Sequence, residues 1–254
     1  MNDTVIRISG LSFGYEKGEE VLSNLSLDIK KNSINAILGS NGSGKSTLLD
    51  CIALFNKPTF GTIEANGVDV KSLSSKEFAR EIAYIPQSTS INIDYTVRDF
   101  ILFGRSPYLG IGESPDESDY LKCEQYAERM GISHLLEKPI TKTSGGERQL
   151  AFICRALIQE SPILMFDEPL SALDFGNQNK LLLIFKELVK EGKTILFTTH
   201  NPNQVFDLNC NVLVIHEGKI TTAGSAKEVI TKELLERVYH TNVGLSNNHF
   251  TFVE

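Results

Sequence analysis

The sequence predicts an α/β domain with a parallel central sheet, a β-rich N-terminal part and a helical insertion. Three observations carry this prediction. Strand-like apolar runs, "SINAIL", "PILMFDE", "TILFTTH" and "NVLVIHEG", are separated by segments with helical spacing. Residues 4–30 alternate apolar and polar with period two. Residues 96–158 read mostly as helix and divide the apolar runs into an early and a late group.

Taken in order, "VIRISGLSF" and "LSNLSLDI" have the alternation of half-buried strands, with "EKGEE" as the turn between them. "SINAIL" is a short continuous apolar run, as expected of a central parallel strand. "STLLDCIALF" follows with helical spacing, and "GTIEANGVDV" reads as two short strands about a turn at Asn66-Gly67. Residues 75–81 read as helix and "IAYIPQ" as strand. Within the insertion, "SPYLGIGESPDES" is a Gly/Ser/Pro-rich loop. Phe100 and Phe103, three apart, are expected to pack the helical part, whereas Tyr108 and Leu109 lie in the loop and are expected to face another protein. "NQNKLLLIFKELVKEG" is a helix between late strands, and the tail from Ser225 reads as helix to about Tyr239 and then as irregular chain. The expected division is 4–87 with 159–224 as α/β core and β subdomain, 88–158 as helical subdomain, and 225–254 as tail.

The 254 residues are 41% hydrophobic and 22% charged, which is ordinary for a globular protein. A formal net charge of −7 argues against a nucleic-acid surface, which needs a basic face. It leaves room for a small phosphorylated ligand at a local site. Cys51, Cys123, Cys154 and Cys210 are far apart and form no C-x-x-C pair, so they read as reduced thiols rather than disulfides or zinc ligands. The N-terminus has no apolar core of signal-peptide length, and no run approaches 18 apolar residues. Work at a membrane would therefore require a separate subunit to hold the chain there.

The chemistry starts at "GSNGSGKST", residues 39–47, which fits G-x-x-x-x-G-K-[ST] through Gly39, Gly44, Lys45 and Ser46. It follows a strand and opens a helix, as that motif requires. The glycines let the backbone of Gly39, Ser40, Asn41, Gly42, Ser43 and Gly44 curl so that N–H groups point at phosphate oxygens, and the helix start through Thr47 adds its positive end. Lys45 would reach the β- and γ-phosphates, and Ser46 would ligate Mg²⁺. "ILMFDEP" supplies an apolar strand with Asp167 at its C-terminal end, where it would bind the metal ion through water. Glu168, next in line, would act as general base on the attacking water.

With these motifs in place, the chain resembles the ATP-binding cassette subunit of an ABC transporter over essentially its whole length. The resemblance implies a P-loop nucleotide-binding domain with an N-terminal antiparallel β subdomain and an inserted helical subdomain. "TSGGERQLAFICRAL" is similar to the family signature, with Ser144, Gly145, Gly146 and Glu147 in matching positions and Thr143 where Leu is usual. Ser144 and Glu147 also have the spacing of a helix capping box. Two glycines at the first helical positions go beyond that role, since each costs stability relative to Ala. In the family this helix start closes over the γ-phosphate held by a second subunit. By the same resemblance Tyr15 stacks on adenine, Gln87 senses Mg²⁺ and links to the helical part, and Asp174 of "SALD" lies at the dimer seam. His200, ending "TILFTTH", would contact the γ-phosphate. His134, His216, His240 and His249 have no such context and read as ordinary.

"SLSSKEFAREIAYIPQ", "TVRDFILFGRSPY" and "GKITTAGSAKEVITKELLERVY" are similar to importers of iron–siderophore, haem and cobalamin complexes, and "TTHNPNQV" to molybdate or tungstate importers. The resemblance implies an ATPase that uses ATP and Mg²⁺ and pairs with a second copy of itself around two nucleotides. It would work on the cytoplasmic face of the membrane with integral-membrane permease subunits, and indirectly with a substrate-binding protein. The alternative is a non-transport member acting on nucleic acid or ribosomes. Such a protein needs long coiled-coil arms, tandem cassettes or basic tracts, and this sequence has none of these.

Overall fold

The computed structural model describes residues 3–16, 18–87, 91–92, 94–246 and 249–252. Lys17 of the expected 16–20 turn, residues 88–90 and 93 of the insertion, and Asn247 and Asn248 of the tail lie outside the described residues. In chain order the elements are β1 (Thr4–Phe13), β2 (Leu22–Lys30), β3 (Ile34–Leu38), α1 (Lys45–Ile52), β4 (Phe60–Ala65), β5 (Val68–Asp69), α2 (Ser75–Glu81) and β6 (Ile82–Ile85). Next come α3 (Val97–Leu102), α4 (Glu117–Met130), α5 (Gly145–Ile158), β7 (Ile163–Phe166), α6 (Phe175–Lys190), β8 (Thr194–Thr199) and α7 (Pro202–Leu208). The chain closes with β9 (Asn211–His216), β10 (Lys219–Ser225), α8 (Ala226–Val229), α9 (Lys232–Tyr239), β11 (Val243–Ser246) and β12 (His249–Phe252). These residues form two compact units, one of Met1–Ser72 with Ile184–Glu254 and one of Leu73–Leu183.

In the first unit, β1 pairs antiparallel with β2 and with β4, and β4 with β5. The Asn66-Gly67 turn joins β4 to β5 with φ of 50° and 79°, the backbone that a two-residue hairpin needs. A second sheet has β3 in the middle, parallel to β8 on one side and to β9 on the other, with β10 antiparallel to β9. Every residue of β3 is buried, which is why its sequence lacks the alternation of β2. Phe185 packs on Phe197 of β8 at 5.7 Å between ring centroids, and both are fully buried. Side chains of that kind contribute about 1.5–3 kcal/mol each.

The tail departs from expectation. The helical reading breaks at Ile230-Thr231, where the Thr231 side chain accepts from the Leu234 N–H (3.2 Å) and starts α9 afresh. Beyond Tyr239 the chain is not irregular. β11 and β12 form an antiparallel hairpin, with Val243 opposite Phe252 and Ser246 opposite His249. β10 and α7 also went unpredicted.

In the second unit, β6 and β7 are parallel neighbours and the rest is helical. α3, α4 and α5 pack together, and Phe100 meets Phe152 at 4.7 Å, as expected of a core residue. Phe103 does not join it. It stays 43% exposed and stands edge-on to Tyr95, also 43% exposed, at 5.0 Å. Tyr108 keeps the exposure expected of it, at 39%, while also being tied to its own unit, and Leu109 is half-buried. Residues Phe103–Tyr108 form a 3₁₀ helix, the Tyr108 hydroxyl donates to the Gln159 carbonyl (3.0 Å), and its ring lies under the guanidinium of Arg105 at 4.3 Å. Arg105 is itself buried and paired with Asp119 at 2.7 Å. Tyr108 is therefore fastened to its own unit by a hydrogen bond and a cation–π contact.

All four cysteines are buried and free. Burial pushes the thiols of Cys51 and Cys210 up to about 12 and that of Cys123 up to about 11, and holds Cys154 well above its ordinary value. Each stays protonated at pH 8; Cys51, Cys123 and Cys154 are out of contact with solvent and Cys210 is nearly so. A thiol reagent at pH 8 is expected to leave the folded chain unlabelled over minutes and to label all four thiols in denaturant. Fast labelling of the native chain would contradict this packing.

Candidate functional site

The first unit brings two of the sequence motifs together through strand register. Leu38 ends β3, Thr199 ends β8, and the two are parallel partners. The 39–47 loop and His200 therefore leave the sheet side by side, at the C-terminal edge where open α/β sheets hold ligands.

The loop is shaped by close approaches. A Cβ on Gly39 would lie 2.4 Å from the Ile215 carbonyl oxygen, so no larger residue fits there. Gly44, which caps α1, has φ 102°, a conformation that L side chains rarely adopt. At the tip Asn41 and Gly42 are exposed, and the space beside Gly42 is open. α1 has no carboxylate in its first turn to occupy its positive end. Lys45 is 5% exposed, and its ammonium donates to the carbonyls of Gly39 (3.0 Å) and Ser40 (2.9 Å), curling back over the loop. The Ser43 hydroxyl is buried with no hydrogen-bond partner. An orphaned hydroxyl, an open glycine face and a helix start free of acids fit a cluster of phosphate oxygens. Ser46 is half-buried and Thr47 is buried.

Tyr15 comes to the same place from the β1–β2 connection. Its hydroxyl is 3.2 Å from Thr47 Oγ1, its ring stands edge-on to Phe13 at 5.0 Å, and it is 62% exposed. With Ser12, Thr59 and the exposed Phe60 it lines a cleft that a flat ring can enter.

The second unit repeats the strand-end logic. Ile85 and Phe166 are parallel partners, so Gln87 and the Asp167-Glu168 pair emerge together. The Asp167 N–H donates to the Ile85 carbonyl (2.9 Å), and the residue is 3% exposed. Glu168 has φ 45°. A non-glycine residue there costs about 1–2 kcal/mol, and the sharp turn is held by the Ser171 N–H (3.2 Å) and hydroxyl (2.9 Å) on the Glu168 carbonyl. The turn carries the Glu168 carboxylate to the Gln87 side chain, whose amide donates to it at 3.3 Å.

In the signature, the capping box is fully formed. The Ser144 hydroxyl accepts from the Glu147 N–H (3.3 Å), and the Glu147 carboxylate accepts from the Ser144 N–H (2.8 Å). That backbone N–H is the main reason the Glu147 carboxyl sits below its ordinary value. A lowered carboxylate stabilises the fold above its unfolded value and loses that contribution as pH falls through the lowered one, so the start of α5 is weakened only in acid. Gly146 has the Ala172 carbonyl 3.2 Å from where its Cβ would be, a packing reason for glycine. Gly145 has none: its Cβ would meet nothing within 4 Å. Thr143, the departure from the usual Leu, is 5% exposed and its hydroxyl donates to the Ile140 carbonyl (2.6 Å), so the substitution is taken up inside the unit. Asp174 is exposed and caps α6, accepting from the Asn177 N–H (2.9 Å) and side-chain amide (2.7 Å), which hold its carboxyl low.

The sequence reading missed what holds His200. The Asn201 N–H donates to Thr199 Oγ1 (3.0 Å), and the His200 carbonyl accepts from the Tyr239 hydroxyl (2.8 Å). The alternation in "VGLS" and "HFTF" was the available signal for the hairpin that accompanies Tyr239.

Among known proteins, residues 22–171 match the family described as ABC transporter. The ferric enterobactin transport ATP-binding protein of Escherichia coli is 35% identical, with 94% of this chain and 89% of that protein covered. The molybdate import ATP-binding protein of Haemophilus influenzae is 33% identical, with 92% and 88% covered. A solved structure described as an inward-facing metal-chelate type ABC transporter superposes with a TM-score of 0.83 at 30% identity, covering 99% of this chain and 98% of that one. By motif order, by sequence and by fold, the chain belongs to the ABC transporter family.

Proposed function

We propose that the chain is the ATP-hydrolysing subunit of an importer for a metal chelate of the iron–siderophore, haem or cobalamin type. It works as a pair on the cytoplasmic face of the membrane, against integral-membrane permease subunits that receive substrate from a separate binding protein. The observation that carries the ATPase reading is the 39–47 loop, with its orphaned Ser43 hydroxyl, open tip and curled-back Lys45. Lys45 and the loop N–H groups bind the phosphates, Tyr15 takes the base, Glu168 accepts a proton from water, and His200 donates to the γ-phosphate. Mg²⁺, when bound, neutralises phosphate charge; Ser46, Gln87 and Asp167 are the residues that would hold it. Ser144, Gly145, Gly146 and Glu147 face the nucleotide of the second copy, with Asp174 at the seam. The open space at Gly145 supports this, because nothing in its own chain requires glycine there.

The chelate class rests on the relatives' activities. The molybdate relative supports a second reading, uptake of an oxyanion. Among the described residues no helix is long and apolar enough to cross a membrane, and the exposed Tyr95–Phe103 pair is one apolar contact the chain offers to a permease subunit. Lys45→Ala is expected to weaken binding of a fluorescent ATP analogue at least about tenfold, or 1.4 kcal/mol. Unchanged binding would remove the loop from the nucleotide site. In cells, the same variant should fail to restore growth on a ferric chelate as sole iron source.

A further inference from the structure

Hydrogen bonds tie the C-terminal tail to the turn that carries His200 and to the start of α7. The Tyr239 hydroxyl, at the end of α9, donates to the His200 carbonyl at 2.8 Å. Asn203, in the first turn of α7, grips β12 from both sides: its amide donates to the Phe250 carbonyl (3.0 Å), and its carbonyl accepts from the Phe250 N–H (2.8 Å). Phe206 of α7 adds an edge-on ring contact with Phe250 at 5.6 Å. The upstream side of the turn is fixed separately, by the Asn201 N–H on Thr199 and by Thr199 on Gln204 (2.7 Å). Between these ties lies a half-open pocket of about 310 Å³, lined by His200, Asn203, Leu235, Tyr239, Val243 and Phe250. A turn beside such a pocket has space to move, and the bonds across it decide where the turn rests.

We propose that Tyr239 is a positioning residue for His200, and that α9 with the β11–β12 hairpin is a clamp setting the histidine for the reaction. This rests on the role given to His200 under the proposed function. The phenol touches no phosphate; it restrains the peptide that carries the imidazole, and its loss lets the imidazole leave the geometry that one hydrogen bond to a γ-phosphate demands.

The test is Tyr239→Phe, which keeps the ring and removes only the hydroxyl. Its melting temperature should move by no more than about 4 °C, and its affinity for the fluorescent ATP analogue should not change. Turnover should fall about two- to tenfold with KM for ATP unaltered, the size of one lost hydrogen bond. A structural role alone would not divide kcat from KM in this way. The second readout is ATP-driven pairing of Glu168→Gln chains, measured by sedimentation, with Tyr239→Phe and His200→Ala added singly and together. Tyr239→Phe should weaken pairing about two- to tenfold with His200 present and have no further effect in His200→Ala, because it acts through that residue. Equal weakening in both backgrounds, or no loss of turnover in Tyr239→Phe, overturns the clamp and leaves His200 in its role. Normal turnover and pairing in His200→Ala overturns that role and the clamp with it.

Discussion

Glu168→Gln is expected to lower ATP turnover by about 10²–10⁴-fold while ATP still binds. The amide keeps the size of the side chain and loses the base. The local structure should survive, because Glu168 is held through its backbone: the positive φ and the Ser171 bonds to its carbonyl do not involve the carboxylate. The Gln87 contact at 3.3 Å changes chemistry. Under the proposed function hydrolysis releases the closed pair, so this variant should accumulate as an ATP-bound dimer, detectable by sedimentation with and without ATP. Turnover at the wild-type rate would remove Glu168 from the mechanism.

Gly145→Asp should separate folding from function as sharply. The position has open space around it, and it is the first residue of α5, where a carboxylate favours the helix by about 0.3–1 kcal/mol. The isolated chain should therefore melt at or slightly above the wild-type temperature and bind ATP normally. Under the proposed function the new charge faces the phosphates of the nucleotide held by the other copy, so hydrolysis should drop to background. Normal hydrolysis would mean that no phosphate approaches Gly145. A large drop in melting temperature would mean that the space is filled within the chain.

The fold was legible where one physical pattern dominated. β3 reads as a covered strand because four of its five residues are apolar; the fifth, Asn35, is buried with its side-chain amide donating to the carbonyls of Lys30 and Ile195. The 39–47 loop reads as a phosphate site because its motif follows a strand and opens a helix, although Gly39 and Gly44 are also demanded by close contacts within the chain. Legibility failed where a long-range partner decides the outcome. Phe103 has the spacing of a core residue, but it pairs with Tyr95 in solvent. Tyr108 is exposed as its loop neighbours suggest, but its tie to Arg105, itself fixed by Asp119, is invisible in a local window. Strand-end residues were legible as candidates, whereas their meetings, such as Gln87 with Glu168, follow from parallel register that no local window contains. The tail was read as irregular because four-residue strands carry too little periodicity to stand out, and what fastens them is Asn203 on an unpredicted helix.

The central claim is that each ATP is held by the loop of one chain and the signature of another. It is tested most directly by mixing two defective chains in a Glu168→Gln background. Lys45→Ala chains lack a working loop but keep the signature, and Gly145→Asp chains keep the loop but lack the signature. Neither should pair on addition of ATP when alone. A mixed pair contains one site with an intact loop and an intact signature, so an ATP-dependent dimer should reappear in the mixture and reach its maximum at equal amounts. No dimer in the mixture, or full pairing by Gly145→Asp chains alone, would contradict a site built from two chains.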